Sequence, residues 1–147
     1  MHLTRTHWLI LLFNILYIAG FTLYYVSIRN FEFLWYVLVL VFFFILIAST
    51  LQRSRFNYTL LWGLSIWGLL HMAGGGVIVG GDVLYALTLL PLIDGGSELA
   101  ILKYDQVVHA FGFGVATLVV YHLLLPYLNE RTNWKVIYPI LIVAGAG

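Results

Sequence analysis

FLWYVLVLVFFFILIASTL, residues 33–51, decides the fold. It runs for 19 residues without an Asp, Glu, Lys or Arg. A helix that crosses a hydrocarbon core of about 30 Å needs about 20 such residues. It is the most lipid-like run of the chain, with three consecutive phenylalanines, Phe42 to Phe44. Working outward, Trp8 to Ile28 is a second run of the same kind, broken only by Asn14, Gly20, Thr22 and Ser27. It is too long for the apolar core of a signal peptide, and no small-x-small cleavage pattern ends it. The link Arg29-Asn30-Phe31-Glu32 is short, so these two helices form an antiparallel hairpin.

The whole chain agrees with this reading. Charged residues make up 9% of its 147 positions and apolar residues 63%, where soluble domains carry about 25% and 45–50%. The balance is seven basic against six acidic residues. That excludes a nucleic-acid binder, which needs a basic excess to neutralise phosphates. There is no cysteine, hence no disulfide framework, no thiolate metal site and no Cys nucleophile.

The expected architecture is an all-α polytopic bundle, read as one transmembrane domain over residues 1–147. Its full spans are about 8–28, 33–51, 58–74 and 107–125, the last closed by Pro126, whose missing N–H suits a helix end. A fifth run, 136–147, has about 12 residues and a reach of roughly 18 Å, so it is read as a truncated span. With the N-terminus cytoplasmic, Arg5, Arg53, Arg55, Arg131 and Lys135 fall inside. Arg29 and Lys103 fall outside, as the positive-inside rule asks. Five of the six acids, Glu32, Asp82, Asp94, Glu98 and Asp105, fall outside. Trp8, Trp35, Tyr36, Tyr58, Tyr104, Tyr127 and Trp134 sit near the expected boundaries as interfacial aromatics do. The expected location is the cytoplasmic (inner) membrane, with the lipid bilayer as first partner and a second membrane protein or another copy of the chain as a further one.

Residues 75–104 break the pattern. They form the expected outer loop, rich in glycine: Gly74, Gly75 and Gly76 at its edge, then Gly80, Gly81, Gly95 and Gly96. Unsatisfied backbone cannot face lipid, so a short interfacial helix starting near Asp82, a plausible N-cap, is expected there. The run GGGVIVGGD lacks the Lys-Ser/Thr and the strand-loop-helix setting of a phosphate loop, so no nucleotide is expected. The glycines are read instead as letting the third helix unwind and another backbone approach closely.

The chemistry concentrates at the outer end. Asp105 and His109 are four apart and share a helix face, which continues through Gly112 and Ala116. Small residues on that face suit close helix packing in lipid. His71 lies late in the third span, flanked by Gly68 and Gly75, at a depth that antiparallel packing brings near His109. Two readings stay open. In one, His71, Asp105 and His109 form a catalytic site or bind a divalent metal such as zinc: three protein ligands with an open fourth position are the catalytic zinc pattern, and a His beside a carboxylate suits proton transfer near neutral pH. In the other they are an interhelical hydrogen-bond network. His122 falls on another face near the inner interface, His2 and His7 meet water or headgroups, and Asn14 is read as helix–helix glue.

The stretches LLHMAGGGVIVGGDVLYALTLLP (69–91) and KYDQVVHAFGFGVATLVVYHLL (103–124) resemble the YjdF-like family of multi-spanning prokaryotic inner-membrane proteins, a family without an assigned activity. The resemblance is carried by His71, Gly74, Gly75, Tyr85, Tyr104, Asp105, His109 and Gly112. It implies a helical bundle and no known ligand. It also implies a longer chain, with an Asn-Glu pair and a second Glu on a later helix, so that this sequence holds the first half of any site. Three functions are carried forward: a membrane-embedded metal-dependent hydrolase or lipid-modifying enzyme, a small-solute or proton-linked transporter, and a scaffold or accessory subunit.

Overall fold

The computed structural model describes residues 3–94, 97–129 and 131–146. Five helices dominate: α1 (Arg5–Ser27), α2 (Phe31–Ser54), α3 (Tyr58–Gly76), α4 (Tyr104–Leu124) and α5 (Trp134–Ala146). The tight turns between the first three have a local cause. Arg29 and Arg55 take left-handed φ values of 55° and 50°, which end α1 and α2. Asn30 and Asn57 then cap the next helices, their side chains accepting the N–H of Phe33 at 3.2 Å and of Leu60 at 2.9 Å, as N-cap residues do.

Up-and-down alternation leaves two distinct ends. One gathers the start of α1, the end of α2, the start of α3 and the end of α4. There the Thr4 and Tyr58 hydroxyls meet at 2.8 Å, and His122 Nε2 donates to the Ser54 carbonyl at 3.0 Å. The other end carries His71, Asp105 and His109. A small core of Tyr17, Tyr25, Val37 and Met72 joins α1, α2 and α3, and the Tyr25 hydroxyl donates to the Met72 carbonyl. Most of α2 is bare: Phe42 is 60% and Phe43 51% exposed. Such a surface fits lipid tails, because an apolar patch this large is rare on a soluble monomer.

Among the described residues, three helices, α1, α2 and α4 with the 3₁₀ turn that follows it, are long and apolar enough to cross a membrane. That is one fewer than the four full spans expected. The helix α3 has 19 residues, but His71, two tryptophans and three terminal glycines dilute its hydropathy. The helix α5 has 13 residues with Pro139 inside it.

The expectation of an all-α chain is corrected between α3 and α4. Two antiparallel hairpins stand there: β1 (Ile78–Val79) with β2 (Asp82–Val83), and β3 (Thr88–Asp94) with β4 (Ser97–Lys103). Gly80 and Gly81, at φ 64° and 94°, supply the two positive φ values of a tight two-residue hairpin turn. The register of β3 against β4 shifts between Thr88 and Pro91, where proline has no N–H to give the ladder. No interfacial helix starts at Asp82. That residue lies in β2 with its carboxylate accepting the Val83 N–H, and only a 3₁₀ turn, Leu84–Ala86, follows.

The glycines at the end of α3 also act differently from the expectation. The helix does not unwind there; it continues to Gly76. A Cβ at Gly74 would strike the Tyr85 ring, at Gly75 the Phe33 ring, and at Gly76 the Tyr25 ring. Aromatic side chains, rather than another backbone, occupy the space. Gly68 opens toward Tyr17 of α1 and Gly75 toward α2, so neither faces α4.

Candidate functional site

The site begins with the start of α4. The Tyr104 N–H donates to the Leu87 carbonyl at 2.9 Å, which fixes the helix against the connector. Asp105 falls in the first turn, where a carboxylate is favoured by the helix dipole. One turn on, His109 Nδ1 lies 2.8 Å from the Asp105 carboxylate and 2.8 Å from the Asp105 backbone carbonyl. Both neighbours only accept, so Nδ1 carries the hydrogen. The neutral ring therefore keeps its lone pair on Nε2. His109 and Asp105 side chains are 45% and 46% exposed, so this dyad is open at the surface of the bundle.

His71 approaches from α3, its ring centre 6.2 Å from that of His109 and nearly perpendicular to it. Its own Nδ1 lies 2.6 Å from the Tyr85 phenol oxygen, which is also 3.1 Å from the His71 carbonyl. Tyr85 stands on the 3₁₀ turn and reaches in over Gly74. Burial, then the Asp105 carboxylate and the neighbouring tyrosines, hold this phenol well above its ordinary pKa. It therefore stays protonated and serves as a donor. Its ring also lies 6.1 Å from that of His109 and 6.1 Å from that of Tyr104. The Tyr104 hydroxyl reaches the Leu70 carbonyl at 3.2 Å. Trp67, one turn before His71, packs its indole N–H edge over Gly112; that N–H is buried with no hydrogen-bond partner among the described residues.

The structure thus brings His71, Asp105 and His109 to one end of α3 and α4. Asp105 stands behind His109, accepting its Nδ1–H, rather than beside it as a third ligand. Among the described residues no three His, Asp or Glu side chains converge as a metal-binding set. The two imidazoles are the pair nearest that role. Tyr85, Tyr104 and Trp67 join the site without having been singled out by residue chemistry. Tyr85 carried only the resemblance, and Tyr104 was otherwise read as an interfacial aromatic. Trp67 had one local signal, its i,i+4 spacing to His71. Of the remaining histidines, His7 accepts the Thr4 N–H at the start of α1, His122 binds Ser54, and His2 lies outside the described residues.

A family described as "Predicted membrane protein (DUF2238)" matches residues 8–147. The chain belongs to that family. The YjdF-like resemblance read from residues 69–124 is consistent with it. Searches of curated proteins and of solved structures gave no match. All the site residues lie inside the matched region. The protein is a membrane protein of a family whose description names no reaction, and the site's geometry alone carries the functional argument.

Proposed function

We propose that the chain is a membrane-embedded hydrolase or lipid-modifying enzyme that uses acid–base chemistry at the His71/His109 end of the bundle. The observation that carries this reading is the pair of 2.8 Å contacts at His109 Nδ1. A carboxylate behind an imidazole fixes the tautomer and steadies the imidazolium, the role of the acid in a hydrolase triad. His109 Nε2 is then the general base toward a water or substrate hydroxyl. The Tyr85 phenol, paired with His71, is a hydrogen-bond donor on the other side. A divalent metal, if one is bound, would use His71 and His109 as ligands, with Asp105 orienting the second of them.

The positive-inside distribution of Arg5, Arg53, Arg55, Arg131 and Lys135 supports a cytoplasmic N-terminus in the inner membrane. The site then faces the outer leaflet. A transporter of the alternating-access kind places its polar groups near the midplane. The Asn14, Ser65 and Tyr17 side chains deeper in this bundle are spent on one another. Asn14 donates to Ser65 and to the Ile10 carbonyl, both at 2.7 Å, and accepts from Tyr17 at 2.9 Å.

The test reconstitutes the full chain in vesicles of phosphatidylethanolamine and phosphatidylglycerol carrying labelled headgroups and acyl chains. Release of label should occur and should be abolished by His109→Gln in a protein that melts as the wild type does. Release that persists in His109→Gln, or no release from any of these lipids, overturns the proposal. Zinc content measured in the wild type, His71→Ala and His109→Ala tests the metal: equal content in all three removes it.

A further inference from the structure

We propose that the opposite end of the bundle binds the headgroup of an anionic phospholipid, in a cavity between the start of α3 and the end of α4. The cavity has a volume of about 230 Å³. Whole-ligand pockets run about 300–1,000 Å³, so this one suits a headgroup fragment rather than an entire soluble ligand. Its lining is mixed on both walls: Asn57, Thr59 and Leu60 come from the start of α3, and Leu118, Tyr121, His122 and Leu125 from the end of α4 and the turn after it. A glycerophosphate, polar beside its acyl chains, suits such a lining.

The polar members have capacity to spare. The Asn57 side-chain oxygen is used in capping Leu60, which leaves both amide hydrogens as donors. His122 Nε2 faces the Ser54 carbonyl at 3.0 Å, so it carries the hydrogen, and the neutral ring keeps an acceptor at Nδ1 for a headgroup hydroxyl. The charge comes from the loop that His122 grips. Arg53 and Arg55 flank Ser54, and both are exposed. Arg55 holds a left-handed φ of 50°, a conformation that is strained for a non-glycine residue. Guanidinium forks match phosphate oxygens in pairs. Basic pockets between membrane helices at the positively charged end are where anionic lipid headgroups bind, and five of the seven basic residues of this chain belong to this end.

The occupant is therefore a phospholipid with a net negative, hydroxyl-bearing headgroup such as phosphatidylglycerol. Native mass spectrometry and thermal melts of the full chain in mixed micelles test it. Phosphatidylglycerol should bind at least about ten times more tightly than phosphatidylcholine of the same acyl chains, and should raise the melting temperature. The double variant Arg53→Gln/Arg55→Gln should lose that preference. So should Leu118→Trp, which fills the cavity and leaves both arginines in place; if it does not fold, Thr59→Trp, at a lining residue of the α3 wall, fills the same space from the other side. Equal binding of the two lipids overturns the proposal. So does a preference that survives the cavity-filling variants, because the arginines then act only as a surface charge. Inorganic phosphate reproducing the full thermal shift without lipid overturns the lipid assignment in favour of free phosphate.

Discussion

The Tyr85 ring lies where a Cβ of residue 74 would be, and only because residue 74 is glycine does the phenol oxygen reach His71 Nδ1 at 2.6 Å. A residue on the connector thereby completes a site whose histidines belong to two helices. The connector is held by this contact at one side and by the Tyr104 N–H to Leu87 at the other.

Gly74→Ala should push Tyr85 out of its seat and destabilise the protein by about 1–3 kcal/mol, the usual cost of overpacking. Gly114 is the control. It lies in α4, and a Cβ added there would meet nothing within 4 Å, so Gly114→Ala should stabilise by about 0.5–1 kcal/mol through helix propensity alone. Denaturant melts of the two variants should move in opposite directions, and melts that move together would contradict the packing.

Tyr85 makes the pH response specific. Its phenol is held above the ordinary value of 10.0 in the folded chain. The unfolded chain ionises first as pH rises. Stability owed to this group is therefore complete below pH 10 and declines as pH climbs from there toward the folded value. Tyr85→Phe removes the group, and its melting temperature should fall less steeply above pH 10 than that of the wild type. Parallel curves would show that burial of Tyr85 is not coupled to folding.

The tautomer of His109 is directly observable. Nitrogen-15 NMR of histidine-labelled protein should find the hydrogen on Nδ1 and a lone pair on Nε2. Asp105→Ala keeps the backbone acceptor but loses the carboxylate. Turnover should then fall by about 10–100-fold, the effect of removing an orienting group behind a working histidine, with little change in melting temperature. A large stability loss at unchanged turnover would instead mark the dyad as a structural lock.

Asn14 and Ser65 carry a prediction about assembly. Their buried contact at 2.7 Å joins α1 to α3. Asn14→Ala, Ser65→Ala and the double variant should give a coupling energy of about 0.6–1.7 kcal/mol, as interhelical hydrogen bonds in membrane proteins do. A coupling of zero would mean each side chain finds another partner.

The helices were legible because they depend on composition read along one line. Residues 8–28 and 33–51 announce α1 and α2 to within a few residues, and the i,i+4 spacing of Asp105 and His109 carries directly into the dyad. The connector was not legible. Gly80-Gly81 could be read as helix-breaking glycine, yet the hairpin also needs Val79 opposite Asp82, a pairing that no helical periodicity reports. The role of Asp105 was half legible: spacing places it on the face of His109, but its rotamer decides whether it stands beside the imidazole or behind it.

The sequence by itself determined that the chain lives in a membrane, because nearly uncharged runs of about 20 residues have no other stable environment in water. It also determined which helix ends gather the basic residues. Only the tertiary structure decided what the site contains. Tyr85 meets His71 and His109, and Trp67 meets Gly112, through contacts between segments, and these follow from which glycine faces which aromatic ring. Close packing admits one such arrangement, and it is set by side-chain volumes on several segments at once rather than by any one of them.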